Sequence, residues 1–191
     1  MKTLLAIALF LLTLHATQAQ TLAGLPLDSA THKITYTSVV QVPNATKEEL
    51  YARAREWAVR RFQTTKDPLQ LTDAPDHSLV VKGFAPIDKP ILRNVWFTLI
   101  LSTKDGRYRY VLSDLQDRLV FNPTKASIIG YTEEEYTKPK ALEETLSMKG
   151  MYNRKGEPNQ YIKTLSDATG EAVAKIIASL QQAETTTGKD W

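Results

Sequence analysis

Cysteine is missing from this chain of 191 residues. Disulfides, thiol catalysis and cysteine-ligated metal sites are thereby excluded, and stability has to come from a buried core. Histidine is scarce: besides His15 in the N-terminal run there are only His32 and His77. Neither has a partner at the HxH or HExxH spacing of a metal site. The eight glycines are scattered and form no GxGxxG, P-loop or GxSxG turn, so nucleotide cradles and the serine-hydrolase elbow have no signature here. The acidic triplet Glu133-Glu134-Glu135 lacks the spacing of a calcium loop and reads as a solvated charge run. No metal ion and no cofactor is expected. Charge of one sign is also lacking: 24 basic against 21 acidic residues leave a net of +3. That excess argues for neither nucleic acid nor a membrane surface as partner.

The N-terminus has a clear character. Lys2 precedes an apolar run from Leu4 to Leu14, broken only by Thr13, and Thr17-Gln18-Ala19 offers small residues for cleavage. The run is too short to cross a bilayer comfortably, so residues 1–19 read as a cleaved signal peptide. The product is expected in the periplasm or secreted, not membrane-spanning, and beginning near Gln20. Residues 20–31 form a lead-in arm. Its Asp28-Ser29-Ala30 reads first as a turn; some exported bacterial proteins are O-glycosylated at such a serine, Ser29 here.

The strongest structural signal runs from Asn94 to Leu115. Two β-rich runs meet at Asp105-Gly106, a pair suited to a two-residue type I′ turn in which both residues take positive φ. That turn sets a register: Lys104 faces Arg107, Ser102 faces Arg109, Ile100 faces Val111, Thr98 faces Ser113 and Trp96 faces Leu115. Leu99, Leu101, Tyr110 and Leu112 fall on the opposite, more apolar face, which should meet the core.

Alternation predicts an earlier strand over His32–Val42 with Ile34, Tyr36, Ser38, Val40 and Val42 inward. Thr46-Lys47-Glu48-Glu49 is a capping box that opens a helix to about Gln63, with Trp57 as a core anchor. Short strands follow at Leu69–Thr72 and His77–Phe84, the buried side of the latter undecided, and Ala85–Pro90 reads as a loop. Asp114 and Asp117 are expected to stop the hairpin strand. Residues 116–157 read as an irregular covering segment, with a short helix near Ala141–Met148. Residues 158–182 form a C-terminal helix with Pro158 at N1; Gly170 within it marks a close crossing or a break. Residues 183–191 are a tail. The order β-α-β-β-β-β-α makes residues 32–182 one α+β domain, a two-layer fold with helices on one face of the sheet.

Lys33-Ile34-Thr35-Tyr36 through Val40-Gln41-Val42, Thr46-Lys47-Glu48-Glu49-Leu50-Tyr51, Trp57, and Phe97-Thr98-Leu99 through Tyr108-Arg109-Tyr110 together resemble a Bacteroidota family of exported proteins. It is the domain-of-unknown-function 4468 family, described as having a TATA-binding-protein-like (TBP-like) fold. The resemblance spans about residues 30–118. It implies a curved antiparallel sheet backed by helices, and it supplies no activity and no site residues. DNA binding does not follow from the name of a fold.

The second face of the sheet remains unassigned. It holds Trp96, Ile100, Arg109 and Val111 among threonines and serines, too little charge for a merely solvated face. Three alternatives stand for it: residues 116–157 cover it, a second copy covers it, or it binds a partner with Trp96 as anchor and Arg109 as polar contact. On the third, the protein is a binding module for an envelope protein or a small ligand. The rival is an envelope hydrolase with a loop-built site around Asp76, His77 and residues 116–157.

Overall fold

The computed structural model of the protein describes residues 20–62, 70–74 and 78–185. The lead-in arm is itself structured. Strands β1 (Gln20–Leu22) and β2 (Leu25–Leu27) pair antiparallel. They turn at Ala23-Gly24, where φ is 52° and 89°. Three-residue strands are too short for alternation to announce. Asp28 then makes the turn foreseen for it, its Oδ1 accepting from the backbone N–H groups of Ala30 (3.1 Å) and Thr31 (2.8 Å).

Strand β3 (Tyr36–Gln41) leads through Asn44, at φ 67°, into helix α1 (Lys47–Phe62). The capping box forms: Glu49 N–H donates to Thr46 Oγ1 (3.2 Å), and Thr46 N–H to Glu49 Oε2 (2.9 Å). Leu50, Ala54, Trp57, Ala58 and Phe62 make the buried stripe.

Strands β4 (Gln70–Ala74), β5 (Ser78–Ile87), β6 (Arg93–Lys104) and β7 (Arg107–Leu119) form a meander. With β3 the order across the sheet is β3-β7-β6-β5-β4, every pair antiparallel. β5 runs three residues past the expected Phe84, and its buried side is Leu79, Val81, Gly83, Ala85 and Ile87. Pro86 is tolerated inside it with its side chain exposed.

The hairpin register is as derived from Lys104↔Arg107 to Thr98↔Ser113. Two details differ. Only Gly106 takes positive φ (73°), so the turn is not type I′. Asp105 instead accepts the Lys47 N–H of α1 at 2.9 Å, and Gly106 N–H donates to the Ala45 carbonyl at 2.8 Å. Docking to the β3–α1 connection, rather than turn propensity alone, decides the geometry. The second difference is a bulge on β7. Asp114 sits at φ 54°, and beyond it Trp96 pairs with Gln116 instead of Leu115. Leu115 and Asp117 therefore point to the core, where Tyr108, Tyr110 and Leu112 pointed before the bulge. Neither Asp114 nor Asp117 stops the strand, which continues to Leu119.

The segment read as irregular, residues 116–157, is built of short elements. After β7 come α2 (Pro123–Ile129), α3 (Glu133–Thr137), β8 (Lys140–Ala141) and α4 (Leu142–Leu146). α2 is capped by Asn122 and closed by Gly130 at φ 71°; α3 opens on a second capping box, Thr132 with Glu135. β8 pairs with β7 at Gln116 and Asp117, beyond the end of β3. Helix α5 (Gln160–Thr185) starts at an Asn159 cap, whose Oδ1 accepts the Ile162 N–H at 2.9 Å. Pro158 lies outside the helix and bridges to Tyr152. Gly170 is the close crossing: Leu25 of β2 lies where a Cβ would be 3.5 Å away, and the Ser166 hydroxyl donates to the Ala23 carbonyl at 2.5 Å.

α1 and α5 pack on each other, α1 on β5, β6 and β7 and α5 on β5. The core lies between them and the Leu79/Val81/Phe97/Leu99/Leu101/Tyr110/Leu112 face. Charged side chains are sunk in this layer at two places. Arg93, fully buried, donates to Asp117 Oδ2 (2.6 Å) and to the Tyr161 hydroxyl (2.6 Å), and Thr145 of α4 donates to the same carboxylate oxygen (3.2 Å). Glu184, near the end of α5, is fully buried and neither of its carboxyl oxygens has a hydrogen-bond partner.

Burial pushes Glu184 from its ordinary 4.5 up to about 8, with the Arg53 charge only partly opposing it. The folded chain then keeps a proton that the unfolded chain releases, so stability falls as pH rises between about 4.5 and 8. Glu184→Gln should flatten that part of the melting temperature against pH. An unchanged slope in the variant would assign the pH dependence elsewhere.

Candidate binding face

β-strand alternation puts every second side chain of the meander on the side away from α1 and α5. The register joins them into rows. Thr37, Val111, Ile100 and Val80 lie side by side across β3, β7, β6 and β5. A second row is Val39, Arg109, Ser102 and Ser78, with Gln41, Arg107 and Lys104 beyond it. On the other side come Ser113, Thr98 and Lys82, then Gln116, Trp96 and Phe84. At about 4.8 Å between strands, four strands span roughly 14 Å.

All four residues singled out in the sequence lie on this face. Ile100 and Val111 are direct partners, and Arg109 is one row away. Trp96 stands apart, four residues along β6 from Ile100, about 13 Å at strand rise. Its ring is already engaged: the Phe84 ring centroid lies 4.9 Å away, and the Arg118 guanidinium is 5.0 Å from the indole centroid. Its indole nitrogen is buried without a hydrogen-bond partner. Ile100, Val111, Val80, Thr98 and Ser113 are half-buried, whereas Arg109, Lys82 and Val39 are exposed.

Sequence reasoning missed much of this surface. Phe84, Val80 and Lys82 were hidden because β5 offered no preference between its two sides. Arg118 joins the face only because of the Asp114 bulge. The face carries Lys82, Lys104, Arg107, Arg109 and Arg118 and, among the described residues of β3, β5, β6 and β7 that alternate onto it, no acidic side chain. The four cations other than Arg118 have no ion-pair partner among the described residues. Asp114, at the bulge, is held by Lys33.

Of the helices in residues 116–157, α3 packs on β7 as well as on α2, and α4 packs on β7 and β8. α4 lies with the core, burying Leu142, Thr145 and Leu146. α2 and α3 pack on each other, and Tyr136 of α3 meets Phe121 edge-on at 6.0 Å. A hollow of about 450 Å³ lies along α1, lined by Tyr51, Ala52, Arg55, Glu56, Val59 and Arg60. All six lining residues come from α1, and Glu56 and Arg60 among them pair with each other. His32 is exposed in a turn at φ 55°. His77 and Asp76 fall outside the described residues, as do the signal segment and the end of the tail. Among the described residues no group of three or more His, Asp or Glu side chains could hold a metal ion. No helix among them is long and apolar enough to cross a membrane.

Residues 36–118 match the family described as a domain of unknown function (DUF4468) with TBP-like fold. Two crystal structures are similar over most of the chain. One is a TBP-like protein from Parabacteroides distasonis, at 15% identity and a TM-score of 0.62, covering 85% of this chain and 97% of its own. The other is a DUF4468 family protein from Bacteroides ovatus, at 12% identity and a TM-score of 0.62, covering 92% and 98%. Among curated proteins none matches. The stretch 36–118 begins with β3 and ends one residue before the end of β7, so it contains the strands whose rows make the open face. The chain thus has the TBP-like fold, and from its first sheet strand to the end of the meander it resembles the DUF4468 family.

Proposed function

We infer that this is an exported, non-enzymatic binding module that holds its partner on the open sheet face. Ile100 and Val111 form the apolar centre of contact, Arg109 the polar contact, and Trp96, braced by Phe84 and Arg118, a fixed shoulder. The observation that carries this is the pairing of a half-buried aliphatic row with unpaired cations on a face opposite the packed helices. An ordinary solvated sheet face mixes charges of both signs; this one does not. The N-terminal segment supports a periplasmic or secreted location.

The test compares residues 20–191 with the variant Val39→Asp/Arg109→Glu. Both side chains are exposed, Val39 at 52%, so the fold should be unchanged by circular dichroism. Chemical cross-linking in envelope extract should yield adducts with the wild type that are lost in the variant. Identical adducts from both proteins would remove the face from consideration.

A further inference from the structure

Building on the open face as the binding site, we propose that its partner is a polypeptide segment with an apolar centre bordered by carboxylates. Three features of the face combine to select that chemistry. First, its charge has one sign. Lys82, Lys104, Arg107, Arg109 and Arg118 stand on it with no acidic side chain among the described residues that alternate onto it, although the whole chain is nearly balanced. Among the described residues the acidic side chain nearest the face is Asp114, at the bulge and held by Lys33. Clustered, unneutralised cations attract an anionic partner and repel a cationic one.

Second, the cations form a border and the middle is aliphatic. Val80, Ile100 and Val111 lie in one row with Val39 in the next, while Lys104, Arg107 and Arg109 lie toward the hairpin tip and Lys82 and Arg118 toward the opposite end. An apolar centre with a polar rim is the anatomy of a protein–protein contact. A polyanion such as a polysaccharide or nucleic acid brings charge along its whole length and few aliphatic groups for such a centre.

Third, the face has no free stacking platform. Its two aromatic rings, Trp96 and Phe84, lie against each other, and Arg118 sits over the indole. Bases and sugars that bind without pairing use open aromatic faces. Branched aliphatic residues serve a Val, Ile or Leu side chain instead. A segment crossing from β3 to β5 would bury such a side chain over Ile100 and Val111 and set a carboxylate against Arg109 on one flank and Lys82 on the other.

The experiment is selection of random displayed peptides of roughly 12 residues, long enough to cross the four strands, on immobilised residues 20–191. Recovered peptides should carry Asp or Glu flanking Val, Ile or Leu. They should bind Arg109→Glu about tenfold more weakly or worse, lose affinity in high salt, and resist competition by heparin or by a single-stranded oligothymidylate. Neutral or basic peptides that still need Arg109 or Val39 would overturn the acidic partner and leave the face as the binding site. Peptides indifferent to both residues would remove the face and this inference together. Displacement by heparin or the oligonucleotide at lower concentration than by free peptide would replace the polypeptide with a polyanion. Recovery of no peptide at all counts against the proposal.

Discussion

Asp117→Ala should cost about 3–5 kcal/mol of stability, the loss typical when one partner of a buried ion pair is removed. Arg93 is fully buried, and Asp117 is its charge partner at 2.6 Å. What remains is the Tyr161 hydroxyl at 2.6 Å and the Ile91 carbonyl at 3.3 Å, which accept hydrogen bonds from the guanidinium without neutralising it. At roughly 2–4 °C per kcal/mol for a chain of this size, the melting temperature should drop by about 6 °C or more. Arg93→Met/Asp117→Leu should recover most of the loss, because the cost comes from the orphaned charge and not from the missing pair. A loss under about 1 kcal/mol for Asp117→Ala would mean that water reaches Arg93. Asp117 itself is strained by the site: burial holds its carboxyl above the ordinary carboxylate value despite Arg93 and Thr145.

Phe62→Ala should be comparably damaging, about 3–5 kcal/mol, through the cavity it opens. Its ring meets Trp57 edge-on at 5.7 Å and Phe97 at 5.9 Å, and it lies flush against Gly83. A Cβ on Gly83 would come within 3.0 Å of two Phe62 ring atoms. Gly83→Ala alone should therefore cost about 1–3 kcal/mol by overpacking. Combined with Phe62→Ala the methyl enters the vacated space, so the two losses should fall well short of additive in denaturant titrations. Additive losses would show that Gly83 is needed for its backbone and not for the ring above it.

The long-range plan of the fold was legible because local signals agreed with one another. Asp105-Gly106 set the hairpin register, Thr46 and Glu49 set the start of α1, and alternation separated Leu99 and Leu101 from Ile100. What sequence left dark has physical reasons. A bulge is one residue in a long strand, and an aspartate between Ser113 and Leu115 reads as a strand end as readily as a bulge. The Arg93–Asp117 pair is joined across two strands only after the bulge has turned Asp117 inward, so no spacing along the chain announces it. β1 and β2 hold together through Leu25 and Ser166, contacts with a helix far along the sequence. The helices α2 and α3 were different: Asn122-Pro123 with Gly130, and Thr132 with Glu135, are ordinary start and stop signals that a run of acidic residues obscured. On the candidate face, Ile100, Arg109 and Val111 were found by pairing one hairpin. Trp96 came from the same hairpin, Arg118 needed the bulge, and Val80, Lys82 and Phe84 needed the buried side of β5, where Phe62 presses on Gly83.

The Asp114 bulge also bears on insertions and deletions. Along β7 the core-facing positions are even-numbered up to Leu112 and odd-numbered from Leu115. Deleting Asp114 would make the alternation regular and leave the faces as they are, with Leu115 and Asp117 inward and Gln116 and Arg118 on the open face; pairing the strand regularly with Asp114 retained would exchange them. In sequences as distant as 12–15% identity, a one-residue gap placed on the wrong side of this point exchanges interior for surface over the last third of the strand. Homologues of this chain therefore have to be aligned in two separate registers on either side of Asp114, and a relative lacking the extra residue can keep its Arg93–Asp117 pair.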